Sequence, residues 1–291
     1  MSASVLFDAP GPRARRRSRI ASAVVVVAVL AVLAWGIYIL AQPRESGGIT
    51  LPGFFDWSRW EKLVVDPEFW GAVGRGLLNT LQAAALAAVM ALVVGVLFAL
   101  LRTSPRKAVR IPTMIVLEFF RGMPVLLMML FILLAFATGA FWAVVLALGI
   151  YNGALIGEAL RAGIASLPRG QHEAGLSLGM TRLQTKMLIE FPQAFRQMLP
   201  IIVAQLVVLL KDTSLGYIVG YNELIRTTMN NLSSFYGNRY LFSLFAITLI
   251  IYLAVNLTLS WFARYLARRS MSGRAAKKIA GPADPNDATT E

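Results

Sequence analysis

Five ionisable residues interrupt apolar stretches of this chain, and their types and spacing could do chemistry: Glu118, Arg121, Glu158, Lys211 and Asp212. An ionisable side chain inside a bilayer costs about 2.5–3.5 kcal/mol on insertion scales, so each needs a partner or a purpose. Glu118 and Arg121 are three residues apart and can pair on one helix face. They form either a self-satisfied structural ion pair or a polar element of a substrate path. Glu158 has Arg161 three residues on, which predicts a second ion pair near the membrane surface.

Four consecutive polar residues lie deep in one apolar stretch: Lys211, Asp212, Thr213 and Ser214. They follow about a dozen apolar positions, or roughly 20 Å of helix, which places them near or beyond the middle of a bilayer. A zwitterionic ligand needs both signs of charge, and this run supplies them. Two interpretations stay open, a structural polar network and a group that contacts or gates a small amphoteric solute.

The sequence lacks the residues that thiol, metal, ATP-binding or intramembrane catalytic sites would need. The chain has no Cys, so it has no disulfides and no thiolate metal site or nucleophile, and its one His leaves little for a metal cluster. No G-x-x-x-x-G-K-[ST] phosphate loop occurs, so the chain is not expected to bind ATP. An intramembrane protease or lipid transferase would need paired acids, a His dyad or a Ser with a base, and none is evident. We expect no catalytic residue, metal site or cofactor in this chain.

The composition of the chain indicates the kind of protein in which these ionisable residues lie. Hydrophobic residues make up 57% of the chain and charged residues only 15%, yet the formal net charge is +13. A chain both apolar and basic is typical of a membrane protein with positive loops on one side. Nucleic-acid binding, the other usual meaning of a basic excess, needs a soluble basic face that these apolar runs do not leave. We therefore expect a lipid membrane, and no nucleic acid, as its environment.

Six stretches are long and apolar enough to cross a bilayer as helices. They cover residues 20–41, 79–101, 112–136, 139–160, 199–219 and 240–262. With the N-terminus inside, the inner loops hold twenty Lys and Arg and the outer loops six. The positive-inside rule therefore predicts an all-α membrane protein with both termini cytoplasmic. The third and fourth stretches are separated by only two residues and should form a tight antiparallel hairpin.

The flanks of this core divide into further segments. Residues 1–19 form a basic tail, 20–41 an N-terminal transmembrane helix, and 42–75 an extracytoplasmic segment whose Trp57, Trp60 and Trp70 suit the membrane interface. A cleaved signal peptide is the alternative for the first stretch, but its apolar run is too long and continues through Trp35 and Tyr38. Residues 266–291 are expected to be a disordered cytoplasmic tail.

The long inner loop at residues 161–198 carries its own structure. Gly179 can take the left-handed conformation that closes one short helix. Thr181 and Gln184 form a capping box that opens a second one. Pro192 is expected to end or bend that second helix. A loop of this length with its own helices is usually functional.

The surface of this loop interleaves small or apolar residues with Glu173 and Arg182. Either Ala174, Leu176 and Leu178 pack beneath the loop against the bundle, or a short helix projects them into a groove on another protein. The sequence leaves these two interpretations equally open.

A fixed spacing in this loop resembles a known family. Glu173-Ala174-Gly175, three residues, Gly179, nine residues, Ile189, one residue and Phe191-Pro192 is similar to the EAA loop of permease subunits of binding-protein-dependent ABC importers. That pattern reads EAA, three residues, G, nine residues, I, one residue, LP. The chain departs from it at Gly175, where the family usually has Ala, and at Phe191, where it usually has Leu.

Three further segments resemble the polar amino-acid members of that family, and the glutamate/aspartate and glutamine types most. They are residues 76–82 with Asn79 and Thr80, residues 118–124 and residues 210–215. The similarity covers roughly residues 69–265, which leaves the first helix outside a five-helix core. The resemblance implies a permease domain over residues 76–265 with the type I ABC importer fold.

The resemblance also implies partners. They are two copies of a cytoplasmic ATPase subunit that binds ATP and Mg²⁺, a second permease that is identical or a sister subunit, and an extracytoplasmic amino-acid-binding protein. The loop residues that would couple to the ATPase are Glu173, Ala174, Gly175, Leu178, Gly179 and Pro192. One alternative is an ABC importer permease for another small solute. A stand-alone channel or secondary carrier is the second alternative, but secondary carriers tend to show inverted repeats, and none is apparent.

Gly149, Gly153 and Gly157 form a stripe at four-residue spacing in the fourth apolar stretch. Such a stripe permits close helix contact. The partner helix belongs either to the same subunit or to the second permease.

Overall fold

The computed structural model describes residues 11–46 and 49–279, with side chains as far as Tyr265. It divides into two units, residues 1–66 and 67–291. Helices dominate both, as predicted, although a short hairpin of two strands was not expected.

The first unit begins with α1 (Pro12–Ala41), which contains the predicted N-terminal span and has no buried residue. Its start lies eight residues before the predicted one because Pro12 suits the first helical turn. Strands β1 (Arg44–Ser46) and β2 (Ile49–Leu51) then pair antiparallel, with Arg44 opposite Leu51. A 3₁₀ turn (Trp57–Arg59) and α2 (Glu61–Val65) complete the unit. Trp60 donates its indole N–H to the carbonyl of Phe54 at 2.7 Å.

The second unit contains the remaining helices. α3 (Pro67–Arg102) is 36 residues long, about 54 Å, and starts nine residues before the predicted domain boundary at residue 76. It is followed by α4 (Lys107–Gly122), α5 (Val125–Phe136) and α6 (Ala140–Ala165). Residues 169–177 and 182–185 form α7 (Arg169–Ser177) and α8 (Arg182–Thr185) in the long loop.

The third predicted span is not one helix. α4 and α5 meet at Met123 and Pro124 with a bend of 103° between their axes. Pro124 disfavours helical backbone at the residue before it, and Met123 has extended dihedrals (φ −83°, ψ 129°). One continuous helix over residues 112–136 is therefore not formed, and the predicted third span is divided between α4 and α5. The predicted hairpin does follow, because Ala137 (φ 50°) and Gly139 (φ 78°) turn the chain within three residues from α5 into α6.

α3 and α6 form the centre of the core, and small residues bring them together. The small residues Ala91 and Gly95 of α3 lie against the glycine stripe of α6. A Cβ on Gly153 would lie 2.7 Å from Val94 Cγ1 and 3.2 Å from the Ala91 carbonyl, and one on Gly157 would lie 3.0 Å from the Gly95 carbonyl. The glycine stripe therefore packs within the subunit, which decides between the two interpretations of it.

The fifth span is longer than predicted. α8 continues through a π-helical turn (Lys186–Glu190) into α9 (Phe191–Asp212) and a 3₁₀ turn (Thr213–Tyr217). Pro192 does not end this helix, which continues through it from the π turn into α9. The π turn directly before it widens the helix.

The chain ends with α10 (Leu224–Arg226), a π turn (Thr227–Leu232), α11 (Ser233–Tyr236) and α12 (Leu241–Ile279). α12 contains the sixth predicted span and continues as helix to residue 279. Residues 266–279 of the expected disordered tail are thus helical, in keeping with their Ala, Arg and Lys content. Residues 280–291 lie outside the described part.

Five helices of the described chain are long and apolar enough to cross a membrane, or six segments if α4 and α5 count as one. The other predicted spans, residues 20–41, 79–101, 139–160, 199–219 and 240–262, each fall on one of these five helices.

Candidate functional site

The long loop is a helix, a tight turn and a second helix, as predicted. Gly179 has a φ of +76° and follows the end of α7. Its N–H donates to the Leu176 carbonyl at 3.0 Å, and the Met180 N–H donates to the Gly175 carbonyl at 3.2 Å. This pair of hydrogen bonds is the Schellman motif, which closes a helix with a left-handed residue.

The capping box that opens α8 is also confirmed. The Thr181 N–H donates to the Gln184 side chain at 2.8 Å, and the Gln184 N–H donates to Thr181 Oγ1 at 3.3 Å. α7 packs back on α8 at Gly175, where a Cβ would lie 2.6 Å from Thr185 Cγ2 and 3.1 Å from Ile189 Cδ1. Gly175 thus lets two helices of the loop itself approach each other.

Two polar contacts join α7 to the start of the fifth span. His172 Nδ1 lies 2.7 Å from Glu190 Oε1, and Gln193 Nε2 donates to Gln171 Oε1 at 3.2 Å. Glu190 is buried within the π turn. The sequence did not predict these contacts, because Glu190 lies eighteen positions from His172 along the chain. The contacts tie α7 to α9 as one body.

The opposite surface of the loop is open. Leu178 is 80% exposed, and Leu176, Leu183 and Leu188 are exposed as well. Glu173 is exposed, and its carboxylate has no partner among the described residues. The interpretation in which Leu176 and Leu178 pack beneath the loop is therefore wrong within this chain, because only Gly175 of α7 is buried. An apolar surface around one free carboxylate is typical of a contact site for another protein.

The polar run at the end of α9 is split between two environments. Thr213 is buried and donates to the Leu210 carbonyl at 2.6 Å. Lys211 is exposed and Asp212 is half-buried. Neither side chain has a hydrogen bond or ion pair within the described chain, although they are adjacent. Both charges are therefore available to a ligand or to another subunit.

A buried acid that sequence analysis did not select lies in the connection between the fifth and sixth spans. Glu223 is 0% exposed, and its carboxylate accepts from the N–H groups of Ile225 at 2.9 Å and Arg226 at 2.6 Å. The Tyr252 hydroxyl lies 3.2 Å from Glu223 Oε2. Burial raises the pKa of Glu223, and the hydrogen bonds partly offset this rise. Glu223 therefore caps α10 from inside the protein.

The start of the second span forms hydrogen bonds with the residues on either side of Glu223. Thr80 Oγ1 accepts from the Leu224 N–H at 3.1 Å, and Asn79 Nδ2 donates to the Asn222 carbonyl at 2.8 Å. The Tyr221 hydroxyl donates to the Asn79 carbonyl at 2.8 Å, and burial raises the pKa of Tyr221 to about 12. Asn79 and Thr80 thus hold a loop more than 140 residues away. The sequence signalled this contact only through the resemblance of residues 76–82, which include Asn79 and Thr80, to the polar amino-acid permeases.

The two predicted ion pairs both form. Arg121 lies 3.2 Å from Glu118, and Arg161 lies 2.6 Å from Glu158. The fold also brings the pairs together, because Arg102 and Arg121 are electrostatic neighbours of Glu158, and Glu118 is one of Arg161. Residues predicted in different parts of two spans therefore form one cluster with the last residue of α3.

Comparison with known proteins gives this geometry a context. A family model described as "Binding-protein-dependent transport system inner membrane component" matches residues 70–272. The glutamate transport system permease protein GluD of Corynebacterium glutamicum is 38% identical, over 78% of this chain and 85% of that protein. The probable glutamine ABC transporter permease protein GlnP of Bacillus subtilis is 33% identical, over 67% and 91%.

Solved structures have the same fold. An amino acid ABC transporter crystallised with histidines superposes with a TM-score of 0.62 and 30% identity, covering 69% of this chain and 95% of that one. The MetNI methionine ABC transporter superposes with a TM-score of 0.60 at 15% identity, which supports the fold alone. It covers 71% of this chain and all of that one.

Proposed function

The chain belongs to the family of binding-protein-dependent transport system inner membrane components, and on that premise we propose how it works. It is a multi-pass inner-membrane protein with the type I ABC importer fold. It is the membrane-spanning subunit of an ATP-driven importer of polar amino acids, of the glutamate/aspartate or glutamine class. Relatives that transport glutamate and glutamine support this substrate class.

The surface of α7 is the observation that carries the proposal. A short helix stands out from the bundle with an unpaired Glu173 and the exposed Leu178 at its end. This surface fits a groove on a cytoplasmic ATPase subunit, which would supply the bound ATP and Mg²⁺. The coupling residues are Glu173, Ala174, Gly175, Leu178, Gly179 and Pro192. In this assignment Glu173 and Leu178 contact the ATPase, and the other four shape the loop.

Movement of the ATPase would reach the membrane through α9. His172 and Gln171 bind Glu190 and Gln193 at the base of the fifth span. Displacement of α7 therefore displaces α9, which begins at Phe191 and ends twenty-one residues later at Asp212. Coupling requires such a continuous packed element between two sites.

The unpaired charges at the end of α9 suit the transported solute. We assign Lys211 to the substrate carboxylate and Asp212 to its ammonium group, with Ser214 beside them and Thr213 fixing the helix end. Neither the Lys211 nor the Asp212 side chain forms a hydrogen bond or salt bridge within the part of the chain that the structure describes, which supports this assignment. Glu118 and Arg121 already satisfy each other, so their geometry favours the structural role over the path.

The complete importer would contain two permease subunits, identical or paired with a sister subunit. It would also contain two ATPase subunits and an extracytoplasmic amino-acid-binding protein. The excess of Lys and Arg in alternate loops supports cytoplasmic termini and a cytoplasmic coupling loop.

Affinity purification of the tagged chain from its own membranes tests the proposal. We expect an ATP-binding subunit to co-purify with the wild-type chain and to be lost from the Glu173→Ala variant. The Glu61→Ala variant is the matched control, because it removes an exposed carboxylate from the other unit. A chain that purifies alone and moves glutamate or glutamine into liposomes without ATP would instead be a stand-alone channel or carrier.

A further inference from the structure

The side-chain pattern of α4 divides its surface into three faces. Thr113 and Leu117 are buried against the bundle. Ile111, Ile115 and Phe119 form an exposed apolar row at four-residue spacing. A third face is charged and exposed to a large extent, and its members are Lys107, Arg110, Glu118 and Arg121. A charged face along its whole length is energetically unfavourable for a helix that crosses a bilayer.

The last residue of α3 and the last turn of α4 lie near the same charged cluster, and α4 begins five residues after the end of α3. Arg102, which ends α3, and Arg121, in the last turn of α4, are both electrostatic neighbours of Glu158. α4 is 16 residues long, about 24 Å, so a helix along the membrane normal would separate its ends by most of the bilayer.

The bend before α5 gives the direction of α4. α5 turns into α6 within three residues and packs against it, so it runs along the membrane normal with α6. The 103° bend then places α4 roughly perpendicular to that normal. α5 is 12 residues long, about 18 Å, and carries the chain from this level to the turn that leads into α6.

Three basic residues at the start of α4 lack counter-charges. Arg106, Lys107 and Arg110 are exposed, and none forms an ion pair within the described residues. The nearest acid on the same face of α4, Glu118, is already bound to Arg121. The apolar row and this basic start together match the pattern of a helix that lies in an anionic membrane surface.

We infer that α4 is an interfacial helix rather than a membrane crossing, and that Arg106, Lys107 and Arg110 bind the anionic headgroups of phospholipids. The row Ile111, Ile115 and Phe119 enters the acyl region beside them. The inference rests on the proposed function only for its assignment to the cytoplasmic leaflet. Anionic lipid next to the cluster of Glu118, Arg121, Glu158 and Arg161 would hold the inner ends of α3, α4 and α6.

Depth measurements test the orientation of α4. The natural chain has no Cys, so single cysteines at 111, 115 and 119 can carry spin labels in the full chain in liposomes of phosphatidylcholine and phosphatidylglycerol. We expect the three labels to report the same depth. A spanning helix would separate the first and last by about 12 Å. Labels at the exposed residues Leu127, Phe131 and Leu134 of α5 are the control, and their depths should differ by about 10 Å.

Lipid binding is tested by native mass spectrometry of the full chain titrated with phosphatidylglycerol. Replacing Arg106, Lys107 and Arg110 by Gln should weaken retention about tenfold or more, since each basic residue near a membrane surface contributes measurably. Replacing the exposed Arg169, Arg182 and Arg196 by Gln removes the same charge and should leave retention unchanged.

Three results would overturn the inference. They are a 12 Å depth gradient along α4, equal retention of phosphatidylglycerol by both triple variants, and displacement of the lipid by inorganic phosphate. A disulfide between Ile115→Cys chains in native membranes would also contradict it, because this face would then be a subunit contact. Uptake measurements on the same variants are independent, so failure of the lipid inference leaves the transport proposal testable.

Discussion

At the scale of single residues, Gly179 and Glu223 show two ways in which the backbone demands a particular side chain. Gly179 is required by its own dihedral angle, since a φ of +76° is costly for other residues. Glu223 is required by its surroundings, because its carboxylate accepts from two partly buried N–H groups of α10. The first demand is local in sequence and the second is not.

Replacing Gly179 tests the turn that presents α7. Gly179→Val should abolish uptake while the protein stays in the membrane, because a left-handed conformation costs an L-residue about 1–2 kcal/mol and a β-branched one more. Gly179→Asn should keep most of the uptake, since Asn tolerates this conformation and a Cβ at 179 meets nothing within 4 Å. Uptake into proteoliposomes with the ATPase measures both, and equal uptake by both variants would contradict the role of the turn.

Glu223→Ala should destabilise the protein. The change removes the acceptor of the partly buried N–H groups of Ile225 and Arg226, and the loss should not exceed the roughly 1–3 kcal/mol of each fully buried donor. Thermal unfolding in detergent measures the loss. Tyr252→Phe removes only one hydrogen bond to the same carboxylate and should cost less. A Glu223→Ala variant as stable as the wild type would show that this cap does not matter.

The pH dependence of stability tests the burial of Glu223. Burial raises the pKa of this carboxyl above the value of about 4.3 for an exposed Glu, so the folded state binds its proton more tightly than the unfolded chain. The stabilisation from this proton is complete below the unfolded pKa and is lost as pH rises through the folded pKa. The melting temperature of the wild type should therefore fall with pH relative to that of Glu223→Gln, and parallel curves would contradict this.

At the scale of elements, helix contact and helix breakage decide the architecture. α3 and α6 approach closely because alanines and glycines face each other. The third apolar stretch breaks because Pro124 forces the residue before it out of helical backbone. In the long loop, the same chemistry of caps and glycine places α7 against α8.

Adding a methyl group between α3 and α6 tests that contact. Gly153→Ala should lower the melting temperature, because its Cβ would lie 2.7 Å from Val94 Cγ1 and overpacking costs about 1–3 kcal/mol. Gly122→Ala is the control, since a Cβ there meets nothing within 4 Å. Val94→Ala should partly restore the Gly153→Ala variant, and a loss that stays the same in the double variant would place the clash elsewhere.

At the scale of the whole molecule, the proposed function makes this chain one subunit of a larger transporter. In the proposed function, α7 contacts an ATPase, α9 connects α7 to the membrane, and Lys211 and Asp212 lie at the far end of α9. In that proposal, the ATPase supplies the energy and a second permease subunit completes the pathway. The function therefore depends on assembly with other subunits.

Lys211→Ala or Asp212→Ala should impair transport in the assembled importer without reducing its basal ATPase rate. Both charges lie at the membrane end of α9, away from the coupling loop, so their loss removes substrate contacts and leaves the ATPase contact intact. Lys211→Arg keeps the charge and should retain more uptake than Lys211→Ala. Unchanged KM and kcat for amino-acid uptake in both alanine variants would assign these residues to structure.

The sequence alone determined whatever depends on neighbouring residues. The five continuous spans, the Schellman turn at Gly179 and the capping box at Thr181 follow from composition and spacing within a few positions, and the structure confirms them. The family assignment from the EAA pattern is confirmed as well, because that pattern is also local. Local free energies of this kind are the same in any fold.

Only the tertiary structure decided what depends on direction and distant contacts. Hydropathy averages over residues 112–136 and cannot register a 103° change in helix direction. The partners of Glu223, Asn79 and Thr80 are far apart along the chain, and the glycine stripe has the same spacing whichever helix it faces. The two ion pairs form one cluster only because α4 packs against α3 and α6. Pro124 marks the break in the third stretch locally, but the direction of the helices and these distant contacts depend on the packing of separate elements.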